Sequence, residues 1–308
     1  MLTHERLPVV EVGATDIHAS APAQPSLTAG PYDALMRVGE RLQQLAGPQR
    51  AREVLAGRLA FERLEWLGDS VLDVLAARAV SLSAPVDASA DAIHHAHSDL
   101  VSDRVMSRAA LRFDLPQVSP ALRPGRFDDP DPFHRLGDSV EAWIGGAWLS
   151  GGWAAATEAS RLVPLLAYSK VLLVEPAPCP TLPLNPVPAE LRAWLHVQGW
   201  TPHDARWICV VGSPVTFRRR LVAAGAACLE QAAGAWLFAQ HPQYDEGRLS
   251  RERDKVTSPE RLTALAQAMP APAGFQANDR LLLAVLGAAL LDAGPVVGSE
   301  LAARLLKL

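Results

Sequence analysis

The sequence predicts an all-α protein built as two tandem helical domains joined by a proline-rich connector, and three observations carry that prediction. First, Leu, Val and Ala recur at i, i+3, i+4 and i+7 through ALMRVGERLQQLAG and ERLEWLGDSVLDVLAARAV, the period of a helix that buries one face. Second, β-type alternation is scarce, and WICVVGSPV (Trp207 to Val215) is the main strand candidate. Third, EPAPCPTLPLNPVPAE, from Glu175 to Glu190, has proline at nearly every second or third position. Such a run cannot join a helix and prefers an extended conformation, so it reads as a linker.

Taken in order, residues 1–30 are rich in Ala, Pro, Ser and Thr without periodicity and are expected to form a flexible tail. Residues 31–175 make the first domain, 176–188 the linker and 189–308 the second domain. No apolar run approaches the roughly 20 residues of a membrane span. The longest candidate, Leu281 to Leu291, is about half that length and is expected to be a buried helix. The stretch MLTHERLPVVEVGATD has no basic segment leading into an apolar one, so no secretory signal is read there. The three cysteines, Cys179, Cys209 and Cys228, form no CxxC pair and no zinc pattern. They suit isolated thiols in a reducing compartment, and the expected setting is cytoplasmic, with no membrane partner.

Of the 308 residues, 49% are hydrophobic and 20% charged, a soluble globular composition. The net charge of −4 argues against a protein that coats nucleic acid, but the charge is uneven. Residues 1–188 hold 16 basic and 22 acidic side chains, whereas residues 189–308 hold 13 and 11. Local basic patches and bound metal can therefore set the field at a site despite the total.

The acids of the first half are ordered. Glu62, Glu65 and Asp69 fall at i, i+3 and i+7, which stacks three carboxylates on one helical face. Like charges so placed repel by a few tenths of a kcal/mol per pair, so the arrangement needs a reason. Leu64, Trp66, Leu67, Val71 and Leu72 surround the acids, which implies a mostly buried helix. Gly68 sits mid-helix at a cost of about 1 kcal/mol relative to Ala, which implies a close approach to the backbone. The tetrapeptide Leu67-Gly68-Asp69-Ser70 recurs as Leu136-Gly137-Asp138-Ser139. The second copy opens LGDSVEAWIGGAWLSGG, with Asp138 and Glu141 at i and i+3. Two such helices in contact would make an oxygen-rich pocket suited to Mg²⁺ or Mn²⁺. Spacing alone leaves a solvated acidic surface open as the alternative.

ERLEWLGDSVL, Glu62–Leu72, closely resembles the ribonuclease III motif ERLEFLGDAVL, with Trp66 for Phe and Ser70 for Ala. LGDSVEAWIGGAWLSGG resembles that family's LADAFEALIGAIYLDGG, and Ser98–Leu115 resembles its connecting helix. The resemblance implies that Glu65, Asp69, Asp138 and Glu141 are metal ligands and that Glu62 is the leading acid of the catalytic valley. It further implies Mg²⁺, with Mn²⁺ as a substitute, and hydrolysis of double-stranded RNA to 5′-phosphate and 3′-hydroxyl ends. Two departures stand out. Gly57 and Leu59 occupy the places of the family's upstream H-x-S element. The family's EGxLTxxRxxLV stretch is replaced by ADAIHHAHSDLV, so that His94, His95 and His97 stand where Thr, Lys and Arg are usual. Histidines this close suit either metal binding or a solvated, RNA-facing role.

The second half resembles the same domain with its acids removed. YDEGRLSRERDKVTSPERLTALA, Tyr244–Ala266, matches the EGxLTxxRxxLV pattern better than the first half does. RRLVAAGAACL lines up with ERLEWLGDSVL, so that Arg219, Val222 and Ala226 replace Glu62, Glu65 and Asp69, while Leu221, Gly225 and Leu229 are kept. RLLLAVLGAALLDAG lines up with DSVEAWIGGAWLSGG. Arg280 then falls opposite Asp138 and Leu283 opposite Glu141, with Gly287 and Gly294 kept.

Members of this family work as pairs of domains, and a tandem pair can form the valley internally. The resemblance thus implies a monomeric pseudo-dimer with one competent site that nicks one strand; a homodimer through the first domains is the alternative. Arg218, Arg219, Arg220, Arg248, Arg251, Arg253 and Lys255 could grip RNA phosphates or form solvated helix faces. No double-stranded-RNA-binding domain is recognised, which implies a structured substrate such as precursor ribosomal RNA. The rival reading is a non-catalytic structured-RNA-binding or ribosome-associated protein that keeps the fold. The five intact acids count against it.

Overall fold

The computed structural model describes residues 31–56, 58–85, 88–112, 132–162, 189–211, 215–270 and 276–308. The expected N-terminal tail and the proline-rich linker lie outside these residues. Every regular element among the described residues is a helix. In chain order these are α1 (Pro31–Ala56), α2 (Arg58–Ser83), α3 (Ala90–Val101), α4 (Asp103–Arg112), α5 (Pro132–Leu162) and α6 (Ala189–Val197). There follow α7 (Ala205–Val211), α8 (Val215–Gln240), α9 (Glu246–Val256), α10 (Pro259–Ala266), α11 (Asp279–Ala293) and α12 (Pro295–Leu306).

Within the strand candidate of the sequence, Trp207–Val211 is helical and residues 212–214 lie outside the described residues. Trp207, Ile208 and Val211 are buried at helical spacing, and α7 packs them against α11. The β propensity of Trp, Ile and Val yields to that packing, as propensity commonly does. A second correction concerns apolar length. Arg218–Gln240 within α8, and not only Leu281–Leu291, stands out: it is long and apolar enough to cross a membrane by length and composition. More than half of its most apolar stretch is buried inside the protein, and α8 packs against α2, α11 and α12. A core helix buried from several sides has that composition.

Each half is organised around one close helix crossing. α2 and α5 meet backbone to backbone: a methyl group on Gly68 would lie 1.8 Å from the carbonyl oxygen of Glu141, and one on Gly145 2.2 Å from that of Leu64. Only glycine permits this approach. The same crossing recurs between α8 and α11, where a methyl on Gly225 would lie 1.8 Å from the Leu283 carbonyl oxygen and one on Gly287 1.9 Å from that of Leu221. These are the pairs that the sequence register aligns, Gly225 with Gly68 and Leu283 with Glu141. Around the first crossing Leu42, Leu64, Val140, Trp143 and Ile144 form one core. Around the second, Leu221, Leu229, Leu282, Val285 and Leu286 form another.

The halves meet along α2 and α8 through a reciprocal contact. Arg63 donates to the carbonyl oxygens of Phe238 (2.8 Å), His241 (2.8 Å) and Tyr244 (2.5 Å), at the end of α8. Arg220, which the alignment places opposite Arg63, donates to the carbonyl oxygens of Ser81 (3.1 Å), Ala84 (3.0 Å) and Pro85, at the end of α2. The last carbonyls of a helix have no partner within it and carry the negative end of its dipole, so a buried guanidinium is well placed there.

Candidate metal centre

The α2–α5 crossing decides where the acids meet. α2 presents Glu62, Glu65, Asp69 and, four residues further on, Asp73. Because Gly68 lets the Glu141 backbone touch α2, the side chains of Glu65 and Glu141 converge beside it. Glu65, Asp138 and Glu141 each offer a carboxylate oxygen, and these oxygens lie within 4.8 Å of one another. Asp69 sits one turn along α2, outside this tight trio, and still raises the pKa of both Glu65 and Glu141.

The electrostatics follow from burial. Glu141 is 6% exposed, and its carboxyl is held well above the usual range by burial first, then by Asp69, Glu65, Asp138 and Asp103. Burial likewise pushes Glu65 up to about 9, with Asp138, Glu246, Asp69 and Glu62 adding repulsion. Asp69 is raised by burial against an opposing pull from Arg253. Asp73 is raised to about 8 by burial, Asp69 and Glu230. A set of carboxylates so crowded keeps its protons near neutral pH unless a cation takes their place.

Several neighbours of the trio come from outside the two acidic motifs. His134 Nδ1 lies 2.7 Å from Asp103 Oδ2 and 3.7 Å from Asp138 Oδ1, tying the start of α4 to α5. The second half contributes through α9. Ser250 accepts a 2.9 Å hydrogen bond from the Trp66 indole, Arg253 lies over the Trp66 ring at 5.3 Å, and Glu246 faces Glu65 closely enough to raise it. Glu246, Ser250 and Arg253 belong to the EGRLSRERDK stretch, but only the α2–α8 contact brings that stretch to the acids.

The seven basic residues expected at phosphates divide into two groups. Arg220 is 4% exposed and committed to the end of α2, so it is withdrawn from any RNA surface. Arg253 is half-buried, with its Nη1 4.0 Å from Glu230 Oε2. Arg219, Arg248, Arg251 and Lys255 are exposed and Arg218 is half-buried. Of these, Arg248 stacks on the Tyr244 ring at 3.7 Å, and Lys255 pairs with Glu252 at 2.8 Å. The histidines also divide. His94 and His95 are exposed, whereas His97 is half-buried with its Nε2 3.5 Å from Asp73 Oδ1, and burial lowers its pKa.

A family model, the ribonuclease III domain, matches residues 62–152. That segment is similar to a ribonuclease III domain over less than half of the chain. Glu62, Glu65, Asp69, Asp138 and Glu141 all fall inside the matched segment, and enzymes of this family use divalent metals. No curated protein matches the sequence. Solved structures that share the fold include two of Dicer. A structure of Giardia Dicer refined against twinned data has a TM-score of 0.58, and a crystal structure of Dicer from Giardia intestinalis a TM-score of 0.53. Each is 14% identical, with 79% of this chain and 54% of the Dicer chain covered. The chain thus spans about half the length of these proteins. At that identity the likeness is one of fold, and it extends well beyond the ribonuclease III segment into the second half.

Proposed function

We propose that the protein is a divalent-metal-dependent endoribonuclease that hydrolyses double-stranded or structured RNA through a single acidic centre. The observation that carries this reading is the buried trio of Glu65, Asp138 and Glu141, whose oxygens sit within 4.8 Å of one another inside the segment similar to a ribonuclease III domain. The donor set fits the metal. It is all carboxylate, which suits Mg²⁺ and, second, Mn²⁺, and its raised pKa values mark a site where a cation relieves repulsion. Glu65, Asp138, Glu141 and, from the next turn, Asp69 would hold the ion, with Glu62 at the rim. Such an ion activates water and stabilises charge on a leaving oxygen.

The chain's own residues do the rest. The Gly68–Gly145 crossing fixes the two acid-bearing helices, and burial keeps bulk water from screening them. Arg253 offsets charge at Asp69 from the other half. The second half carries Val222, Ala226, Arg280 and Leu283 where the first has Glu65, Asp69, Asp138 and Glu141, which supports one competent centre and the nicking of one strand. The reciprocal Arg63 and Arg220 contacts support a pseudo-dimer formed within one chain, with residues 31–175 as the catalytic domain and 189–308 as the degenerate one. Arg219, Arg248, Arg251 and Lys255, at the surface, are the candidates for phosphate contacts, which suit recognition of A-form RNA by shape.

The test is a labelled RNA duplex incubated with Mg²⁺ and with wild-type, Asp138→Asn or Glu141→Gln protein. Wild type should cut and both variants should lose activity by about a hundredfold or more, consistent with loss of a metal ligand. Cleavage that survives both changes rejects the assignment. Duplex binding without cleavage by wild type points instead to the structured-RNA-binding role.

A further inference from the structure

Trp66 is 4% exposed because the second half builds a socket around its ring. Leu237 and Leu249 pack with it, and a methyl on Gly234 would lie 3.4 Å from the ring. Ser250 accepts from its N–H and Arg253 lies over its face. The sequence register says which residues of the first half build the same socket in return. Gly225 opposite Gly68 sets Ala223 opposite Trp66, Ala77 opposite Gly234 and Val80 opposite Leu237. The match of ADAIHHAH to EGRLSRER sets Ile93, His94 and His97 opposite Leu249, Ser250 and Arg253. All six of these first-named residues line one cavity of about 310 Å³ between α2, α3 and α8. Alanine supplies no ring to fill it: Ala223 is exposed where Trp66 is buried. The cavity is separate from the metal centre, since Glu65, Asp69, Asp138 and Glu141 do not line it.

We propose that this cavity binds a small, neutral, planar heteroaromatic molecule of about the size of an indole, with a ring N–H. The other half names the occupant, because there the equivalent space holds an indole. Ala77, Val80 and Ile93 give the cavity apolar walls, and an apolar cavity readily takes an aromatic ring. Its volume lies at the lower end of small-molecule sites, about 300–1,000 Å³. The hydrogen-bonding partner is also in place. His94 stands where Ser250 accepts from Trp66, and a neutral imidazole nitrogen accepts from a ring N–H in the same way. Asp73 lines the cavity as a further acceptor, with His97 Nε2 3.5 Å from its Oδ1. Two carboxylates, Asp73 and Glu230, are matched there by two guanidiniums, Arg219 and Arg220, which favours a neutral ligand over an ion. The inference stands whether or not the acidic centre cleaves RNA.

The test titrates the full chain, without added metal, with indole and with 1-methylindole, which keeps the ring and lacks the N–H. Binding is read by calorimetry and by thermal melting. Indole should saturate at one site per chain and raise the melting temperature, as a ligand of the folded state does. 1-Methylindole should bind at least threefold more weakly. Ala223→Trp places the chain's own indole in the cavity. It should melt above wild type, as cavity filling commonly brings about, and should weaken indole binding tenfold or more. Ala223→Leu is a smaller filler that keeps the test decisive if tryptophan is not accommodated, and it should weaken binding severalfold. No saturable binding of indole by folded wild type overturns the proposal and leaves the cavity to water. Equal binding of the two probes, or indole binding that neither filled variant weakens, overturns it as well.

Discussion

Glu141 is buried, packed among other acids, and still has the carboxylate chemistry of a ligand. Its neighbour Glu65 makes the consequence measurable. The folded-state pKa of Glu65 is raised from 4.5 to about 9, so the unfolded chain ionises first. The stability Glu65 allows is therefore fully present below about pH 4.5 and is lost as pH rises toward 9. Metal-free protein should melt at progressively lower temperature across that window, and Mg²⁺ should flatten the slope; a melting temperature that rises through the window would contradict the buried-acid account. Trp66 offers a second test at this scale. Replacing it by Phe removes the indole bond to Ser250 while keeping a ring, and should cost about 1 kcal/mol in urea denaturation.

At the scale of elements, the glycine crossings carry the architecture. Gly68→Ala would force a methyl into the Glu141 carbonyl, and Gly225→Ala into that of Leu283. Each should destabilise by about 3 kcal/mol, the upper end for overpacking, and Gly68→Ala should also weaken metal binding because it separates Glu65 from Glu141. Isothermal titration with Mg²⁺ beside a thermal melt checks both. Much of this is legible in the sequence. Gly68 in mid-helix announces a close approach, and the recurrent Leu-Gly-Asp-Ser sets Asp69 and Asp138 at matching places on two helices. Asp73 follows from carrying the same face one turn further. The position of α9 is not legible in this way. Nothing local in EGRLSRERDK says that Glu246, Ser250 and Arg253 face the first half, since that depends on how α2 docks on α8. The Trp207–Val211 run departs from its composition for the same reason, because packing against α11 overrides its β-branched and aromatic content.

For the whole molecule, the two halves hold each other by their helix ends. Arg63→Met should strand the carbonyls of Phe238, His241 and Tyr244, and Arg220→Met those of Ser81, Ala84 and Pro85. Each change should cost about 3 kcal/mol and the two losses should be similar, as expected for a contact made in the same way by each half. Equilibrium denaturation of the two variants reads both values, and a large loss from only one would show that the contact is not reciprocal in energy. This pairing also brings α9 of the second half against the acidic cluster of the first.

The most direct test of one competent centre in a paired fold is single-turnover cleavage of a duplex RNA labelled separately on each strand, with Mg²⁺ and excess protein. The account predicts one cut per binding event, on one strand, abolished by Glu141→Gln. Paired cuts on both strands in the same event, or cutting that survives Glu141→Gln, would contradict it.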